Sequence, residues 1–294
     1  MPLTGTDTRP ALLIANEKSR RGGEIAPFEA ALRAGGLEIR REPCTGAAAM
    51  DERIRALAGQ VSCVLLGGGD GTMHAAAAAL RDTALPLGIL PLGTANDLAR
   101  SLEIPLEPER AAALILAART RTIDLGTVNG IPFFNVASLG LSVAITKRLT
   151  RLMKRRFGRL AYPLAAALTL IRARRFSASL RIDGVETLTT TLQIAVGNGR
   201  FYGGGNVIDP DAEIDDGTLH VYSLEPRAPW RLLFMARAFR TGEHRQLREV
   251  RSIDCHTLRV TTKRPHGITA DGEMVAKTPA EFALLRNAVR VYVP

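Results

Sequence analysis

Apolar and polar positions alternate in blocks through the first half of the chain. Short stretches at 11–15 ("ALLIA"), 37–45, 61–66, 85–91 and 122–129 read as strands. Between them, 26–36, 47–59, 73–82, 95–102 and 108–120 carry apolar residues at helical spacing. Strands alternating with helices predict a parallel sheet covered on both faces. In such sheets ligands bind beyond the carboxyl ends of the strands, so the loops there are where chemistry is sought.

The pattern changes near residue 130. The stretches 131–145, 176–184, 186–199, 217–224, 256–265, 266–274 and 289–294 read as strands separated by turns, with Asp183-Gly184 as a hairpin turn. A helix is expected at 228–242. The second half thus predicts a mostly antiparallel β domain, a sandwich. A chain of 294 residues fits two domains. We place them at 1–128 and 129–294, with a basic helical insertion at 147–175 and the last residues free to return to the first domain.

Two loops of the first half carry candidate chemistry. The first is Gly67-Gly68-Gly69-Asp70-Gly71-Thr72. Glycines let backbone amides approach a ligand, and a following helix N-terminus favours phosphate. A strand-to-helix turn capped by Asp70 explains the same residues without a ligand. The loop lacks the Gly-Lys-Ser/Thr of a P-loop and the spacing of a dinucleotide fingerprint. The second loop, "PLGTANDLA" at 91–99, has Thr94 and Asp97 at the spacing of a capping box.

Acidic residues gather at two later places. Asp209, Asp211, Glu213, Asp215 and Asp216 precede Gly217, a density of oxygen ligands that suits Mg²⁺ or simply a solvated turn. "TADGEM" carries Asp271 and Glu273 around Gly272, which a plain turn also explains.

Charge adds a partner. Lys plus Arg minus Asp plus Glu is 39 minus 29, or +10. Residues 147–175 hold ten Lys or Arg and no acid, around an apolar stretch at 160–171. A basic helix with an apolar face fits an anionic membrane surface, or an arm packed on the β domain. No aromatic platform or helix-turn-helix pattern points to nucleic acid. Cys44, Cys63 and Cys255 form no disulfide or zinc pattern, as in a reducing cytoplasm. The N-terminus does not read as a signal peptide, and no run is long enough to span a bilayer.

Together, "GGGDGT", "LPLGTANDLA", "VGNGRFYGGG", "PDAEIDDGTLHV" and "DGE" resemble the diacylglycerol kinase catalytic-domain superfamily, in its soluble bacterial, YegS-like branch. The first motif alone also fits NAD kinases and phosphofructokinases. The resemblance implies an α/β domain that holds ATP, a C-terminal β-sandwich, and an active site between them. It implies nucleotide contacts at Thr45, Gly68, Gly69, Asp70, Gly71, Thr72, Met73, His74 and Thr94. It makes Glu273 the proton acceptor, with Asp271 as the alternative, and puts Asp70, Asp124 and Asp271 near Mg²⁺. A second, structural Mg²⁺ is implied on the Asp216 side chain and the carbonyls of Glu213 and Thr218. Relatives commonly follow GGDGT with a hydrophobic residue, Asn and Glu. Met73, His74 and Ala75 stand there in this chain.

The expected function is therefore ATP-dependent transfer of a phosphoryl group to a hydroxyl of a membrane lipid, diacylglycerol or a relative. The protein would act in the cytoplasm, peripherally on the inner membrane, as a monomer or homodimer. The alternatives are a kinase of NAD or another small molecule, and a regulator that binds nucleotide and membrane without turnover.

Overall fold

The computed structural model describes residues 8–15, 24–43, 46–148, 165, 168–170, 173–226 and 238–294. Thr45 and most of the basic segment 147–175 lie outside the described residues, as does most of the helix expected at 228–242. The chain forms two compact units. The first comprises 1–125, 203–205 and 285–294, and the second comprises 126–202 and 206–284.

The first unit opens with β1 (Ala11–Ala15), α1 (Ile25–Ala34), β2 (Ile39–Pro43), α2 (Ala47–Leu57), β3 (Val64–Gly68) and α3 (Asp70–Thr83). It continues with β4 (Leu87–Pro91), α4 (Asp97–Ser101), α5 (Pro108–Leu116) and the start of β5 (Thr120–Val128). The strands pair in parallel in the order β2-β1-β3-β4. Strands β1, β3 and β4 are buried at every residue. A sheet covered on both faces requires that, and it explains why they read as unbroken apolar runs. Leu13, Leu65 and Leu90 pack with Phe28 and Leu32 of α1 and Ile115 of α5. The alanines of α3 bury Ala76, Ala77 and Ala79, and the helix packs on α2.

The second unit holds an antiparallel sheet in the order β14-β13-β10-β7-β16-β17. These strands, with the remaining ones, are β6 (Ile131–Phe133), β7 (Val136–Gly140), β8 (Phe176–Ile182), β9 (Val185–Thr191) and β10 (Gln193–Gly197). They continue as β11 (Phe201–Tyr202), β12 (Asn206–Val207), β13 (Leu219–Leu224), β14 (Val250–Cys255), β15 (Thr257–Thr262), β16 (Gly267–Ala270), β17 (Glu273–Lys277) and β18 (Ala280–Tyr292). Strands β9, β8, β15 and the first part of β18 form a facing antiparallel layer. Leu139, Ile194, Val196 and Val221 of one layer pack on Leu180, Leu258, Val260 and Phe282 of the other. This is the predicted β-sandwich.

Three expectations need correction. The run 131–145 is not one strand: after β7 it turns at Gly140 (φ +96°) into the helix α6 (Leu141–Arg148). Strand β14 lies where no strand was expected. The last strand is 13 residues long and starts at Ala280 rather than 289. Its end returns to the first unit, where Val291 pairs in parallel with Leu87 of β4. The Asp183-Gly184 turn has φ of 44° and 91°, the left-handed pair that closes a two-residue hairpin between β8 and β9.

Candidate active site

In the first unit the two glycine loops meet. Leu92 N–H donates to Gly68 O at 3.0 Å, and a side chain on Gly69 would stand 2.9 Å from the Gly93 Cα. That contact excludes any Cβ at Gly69. Asn96 folds back on the second loop: its Oδ1 accepts from Gly93 N–H at 2.9 Å and its Nδ2 donates to Gly93 O at 3.1 Å. Asn96 itself has φ 51°, a left-handed geometry Asn tolerates better than most residues.

Asp70 is the first residue of α3, and its Oδ1 accepts from Leu98 N–H at 3.1 Å. The first turn of a helix lacks internal acceptors for its amides, and the helix dipole adds positive potential there. Thr72 and Met73 donate their amides to Gly69 O at 2.8 and 3.2 Å, and both side chains are buried. This leaves the turn Gly69-Asp70-Gly71 as the part of the loop whose backbone suits a phosphate. His74 is half-buried and Thr94 is exposed.

The capping box at Thr94 and Asp97 does not form. Helix α4 starts at Asp97 with Asn96 before it and no side-chain cap. Asp97 is 4% exposed and accepts from the amides of Gly204 and Gly205, each at 2.8 Å. Hydrogen bonds to a charged group contribute about 1.5–3 kcal/mol each, so this carboxylate holds the Gly203–Gly205 turn. Sequence reading missed the pairing. Its signal was the glycine triplet of "VGNGRFYGGG" together with an acid following "PLGTAN".

Asp124 is 2% exposed, and its Oδ1 accepts from Asn287 N–H at 2.7 Å. It anchors the last strand.

In the second unit, Asp271 (φ 46°) and Gly272 (φ 92°) form the turn between β16 and β17. The Asp271 carboxylate accepts three backbone N–H groups: Phe134 at 2.8 Å, Asn135 at 2.9 Å and Val136 at 3.2 Å. It is a structural clamp, poorly suited to be a base or metal ligand. Glu273 follows the turn, pairs with Ala270 in the β16–β17 ladder and is exposed, and its side chain makes no hydrogen bond or ion pair among the described residues.

The acidic loop brings Asp216 together with Glu213 and Thr218. Asp216 accepts the N–H groups of Glu213 and Thr218, at 3.0 and 2.8 Å, and its own N–H faces Glu213 O at 3.4 Å. A third donor, His220 Nε2, stands 2.9 Å from Asp216 Oδ2. Burial works to raise the Asp216 pKa, yet these donors outweigh it and hold the carboxyl below its ordinary value. The implied set of one carboxylate and two carbonyls has suitable oxygen chemistry for Mg²⁺.

The same unit contains a cavity of about 330 Å³. Leu141, Ala144, Phe176 and Leu192 give it apolar walls, and Arg148 and Arg174 add two guanidinium groups. His266 stacks on Phe176 with ring centroids 4.1 Å apart, and burial pushes its pKa down.

Comparison with known proteins assigns both halves. Residues 10–128 match the diacylglycerol kinase catalytic domain, and residues 135–293 match the YegS C-terminal NAD kinase beta sandwich-like domain. The chain belongs to the diacylglycerol kinase family. A family member from Mycobacterium tuberculosis, named diacylglycerol kinase, is 35% identical over 81% of this chain and 79% of its own. A Pseudomonas aeruginosa relative named "Probable lipid kinase YegS-like" is 33% identical over 98% of this chain and 95% of its own. A crystal structure from Bacillus anthracis str. Sterne has the same fold, with a TM-score of 0.83 at 23% identity, covering 100% of this chain and 98% of that one. No helix among the described residues is long and apolar enough to cross a membrane.

Proposed function

We propose that the chain is an ATP-dependent lipid kinase that phosphorylates a hydroxyl of diacylglycerol or a related membrane lipid. The observation that carries the reading is the close apposition of the Gly69 and Gly93 loops beside Asp70, in a kinase family. The amides of Gly69–Gly71 hold phosphate oxygens, and Asp70 faces the same loop as the candidate for Mg²⁺ or its waters. Mg²⁺, when bound, neutralises charge on the phosphates.

Glu273 takes the hydroxyl proton as the lipid oxygen attacks the γ-phosphorus. The bond from that phosphorus to the β–γ bridging oxygen breaks, and ADP leaves with the electron pair. Asp271, bound to three amides, sets the turn that carries Glu273 and so acts as a positioning residue. The apolar cavity with its two arginines supports an amphiphilic, anionic or membrane-borne acceptor.

Purified protein with ATP, Mg²⁺ and mixed-lipid vesicles should yield a phosphorylated lipid, identified by mass spectrometry. Turnover of a soluble acceptor such as NAD at the same rate without vesicles would replace this reading with the small-molecule kinase. Nucleotide and vesicle binding without any phosphorylated product would favour the regulator.

A further inference from the structure

In the second unit, the layer of β18, β15, β8 and β9 ends in a strand with an open edge. Among the described residues β9 is hydrogen-bonded to β8 alone. None of its residues belongs to the proposed chemistry. An exposed edge strand invites pairing with another chain, and proteins blunt such edges with lysine, proline or a bulge. Strand β9 ("VETLTTT") has no lysine and no proline, and its register against β8 is unbroken from Val185 to Thr191. Leu188 is 78% exposed and Val185 72%. Glu186 is the strand's one charged residue.

The hairpin turn decides which backbone groups face outward. A two-residue loop closes on a hydrogen-bonded pair, here Ile182 and Val185, and such pairs recur at every second residue. Val185, Thr187, Thr189 and Thr191 therefore give their amides and carbonyls to β8. Glu186, Leu188 and Thr190 turn theirs to the open edge. Arg175 agrees with this: its Nη2 donates to Thr190 O at 2.7 Å, a bond open to a carbonyl that β8 leaves free. The side chains of Glu186, Leu188 and Thr190 share one face with those of Arg181, Ser179 and Ser177, their partners on β8. That face is turned away from the sandwich core, where Ala178 and Leu180 lie.

We propose that β9 pairs antiparallel with β9 of a second copy of this chain, about a two-fold axis at Leu188. In that register the two Leu188 side chains face each other, and Glu186 faces Thr190 at both ends of the seam. Glu186, Leu188 and Thr190 of each copy then exchange their outward N–H and C=O groups with the other copy. A carbonyl has two lone pairs, so Thr190 O can accept both Arg175 and the incoming Glu186 amide. Each Glu186 carboxylate thus comes beside the Arg175 guanidinium of the other copy. The seam is complementary to itself: opposite charges meet at both ends, like charges never oppose, and two exposed leucines cover one another. Moving the axis by one residue either way leaves Glu186 or Thr190 without a strand partner. This match favours a second copy over an unrelated strand. A seam this short suits a weak dimer that forms as concentration rises.

The test is sedimentation velocity of the untagged full-length chain, from about 1 to 200 µM. The weight-average sedimentation coefficient should rise with concentration from that of a monomer toward that of a dimer. L188K sets two ammonium groups against each other in the seam and should weaken the dimer by about tenfold or more. Leu188 is mostly in water in the single chain, so circular dichroism and the melting temperature of dilute L188K should match wild type. E186K should weaken the dimer as well. Adding R175E to E186K should restore part of that loss, because the pair then crosses the seam with its signs exchanged. A chain that stays monomeric at every concentration overturns the proposal. So does a dimer that folded L188K leaves intact, or a double variant that pairs no better than E186K alone.

Discussion

Asp271 and Glu273 are two positions apart and do different work. The aspartate gives its carboxylate to the amides of Phe134, Asn135 and Val136, while the glutamate keeps its own in water. Replacing Glu273 with Gln should reduce lipid phosphorylation about 10²-fold or more, as loss of a general base does, with nucleotide affinity unchanged by calorimetry. Asp271→Ala strands three amides and should cost about 1–3 kcal/mol or more, read by urea unfolding. It should also lower activity, because the turn that presents Glu273 loosens. The sequence shows both acids within "TADGEM". It does not show which is spent on backbone, because the amides concerned lie about 135 positions earlier in the chain. Asp97 and Asp124 were obscured for the same reason. Their partners, the amides of Gly204, Gly205 and Asn287, are distant in sequence, and a carboxylate looks alike in a cap, a clamp or a metal site.

At the scale of elements, the parallel strands were the most legible, because burial on both faces forces continuous apolar runs. The Gly69 and Gly93 loops were legible as a pair. Their backbone contact was not, and it yields a sharp expectation. Gly69→Val places a branched side chain against Gly93 and should abolish binding of a fluorescent ATP analogue, while circular dichroism retains the sandwich signal. The antiparallel half was harder to read. "LSVAI" looks β-prone yet forms the start of α6, because Gly140 turns the chain after β7. The first part of β18 was missed where Arg286 and Asn287 break its apolar pattern, Asn287 having φ 52°. The acidic loop was legible as a cation candidate, but His220 was not singled out. Only the pairing of β13 with β14 brings Asp254 to it.

For the whole molecule, histidine burial sets the response to acid. His244 is 0% exposed and stacks on Phe239 at 4.6 Å, and burial pushes its pKa down. The unfolded chain therefore takes up that proton first, at about pH 6.5. Stability contributed by neutral His244 is complete above that pH and falls as the pH drops below it. His266 acts in the same direction. His220 acts in the opposite one: burial lowers its pKa, but the Asp216 and Asp254 carboxylates outweigh burial and raise it. Urea denaturation of the EDTA-treated protein at pH 7.5 and 5.5 should show a smaller loss on acidification in H244F than in wild type. Cys63 and Cys255 are buried, and burial pushes the Cys255 thiol up to about 12. Iodoacetamide should label neither in the native protein and both in denaturant, as peptide mapping will show.

The first unit takes its residues from three stretches of the chain: 1–125, the Gly203–Gly205 turn and 285–294. Any gene cut at a single point therefore yields no self-sufficient half. A fragment ending at 128 lacks the strand that covers the free edge of β4 and the glycines that occupy the Asp97 carboxylate. It would be made with a bare sheet edge and a buried charge left unanswered, the makings of an inclusion body. The remainder, 129–294, would carry the missing strand as a loose end. The two fragments made together should rescue each other. The first unit is thus all or nothing: its two glycine loops cannot be lent to another protein without residues 203–205 and 285–294.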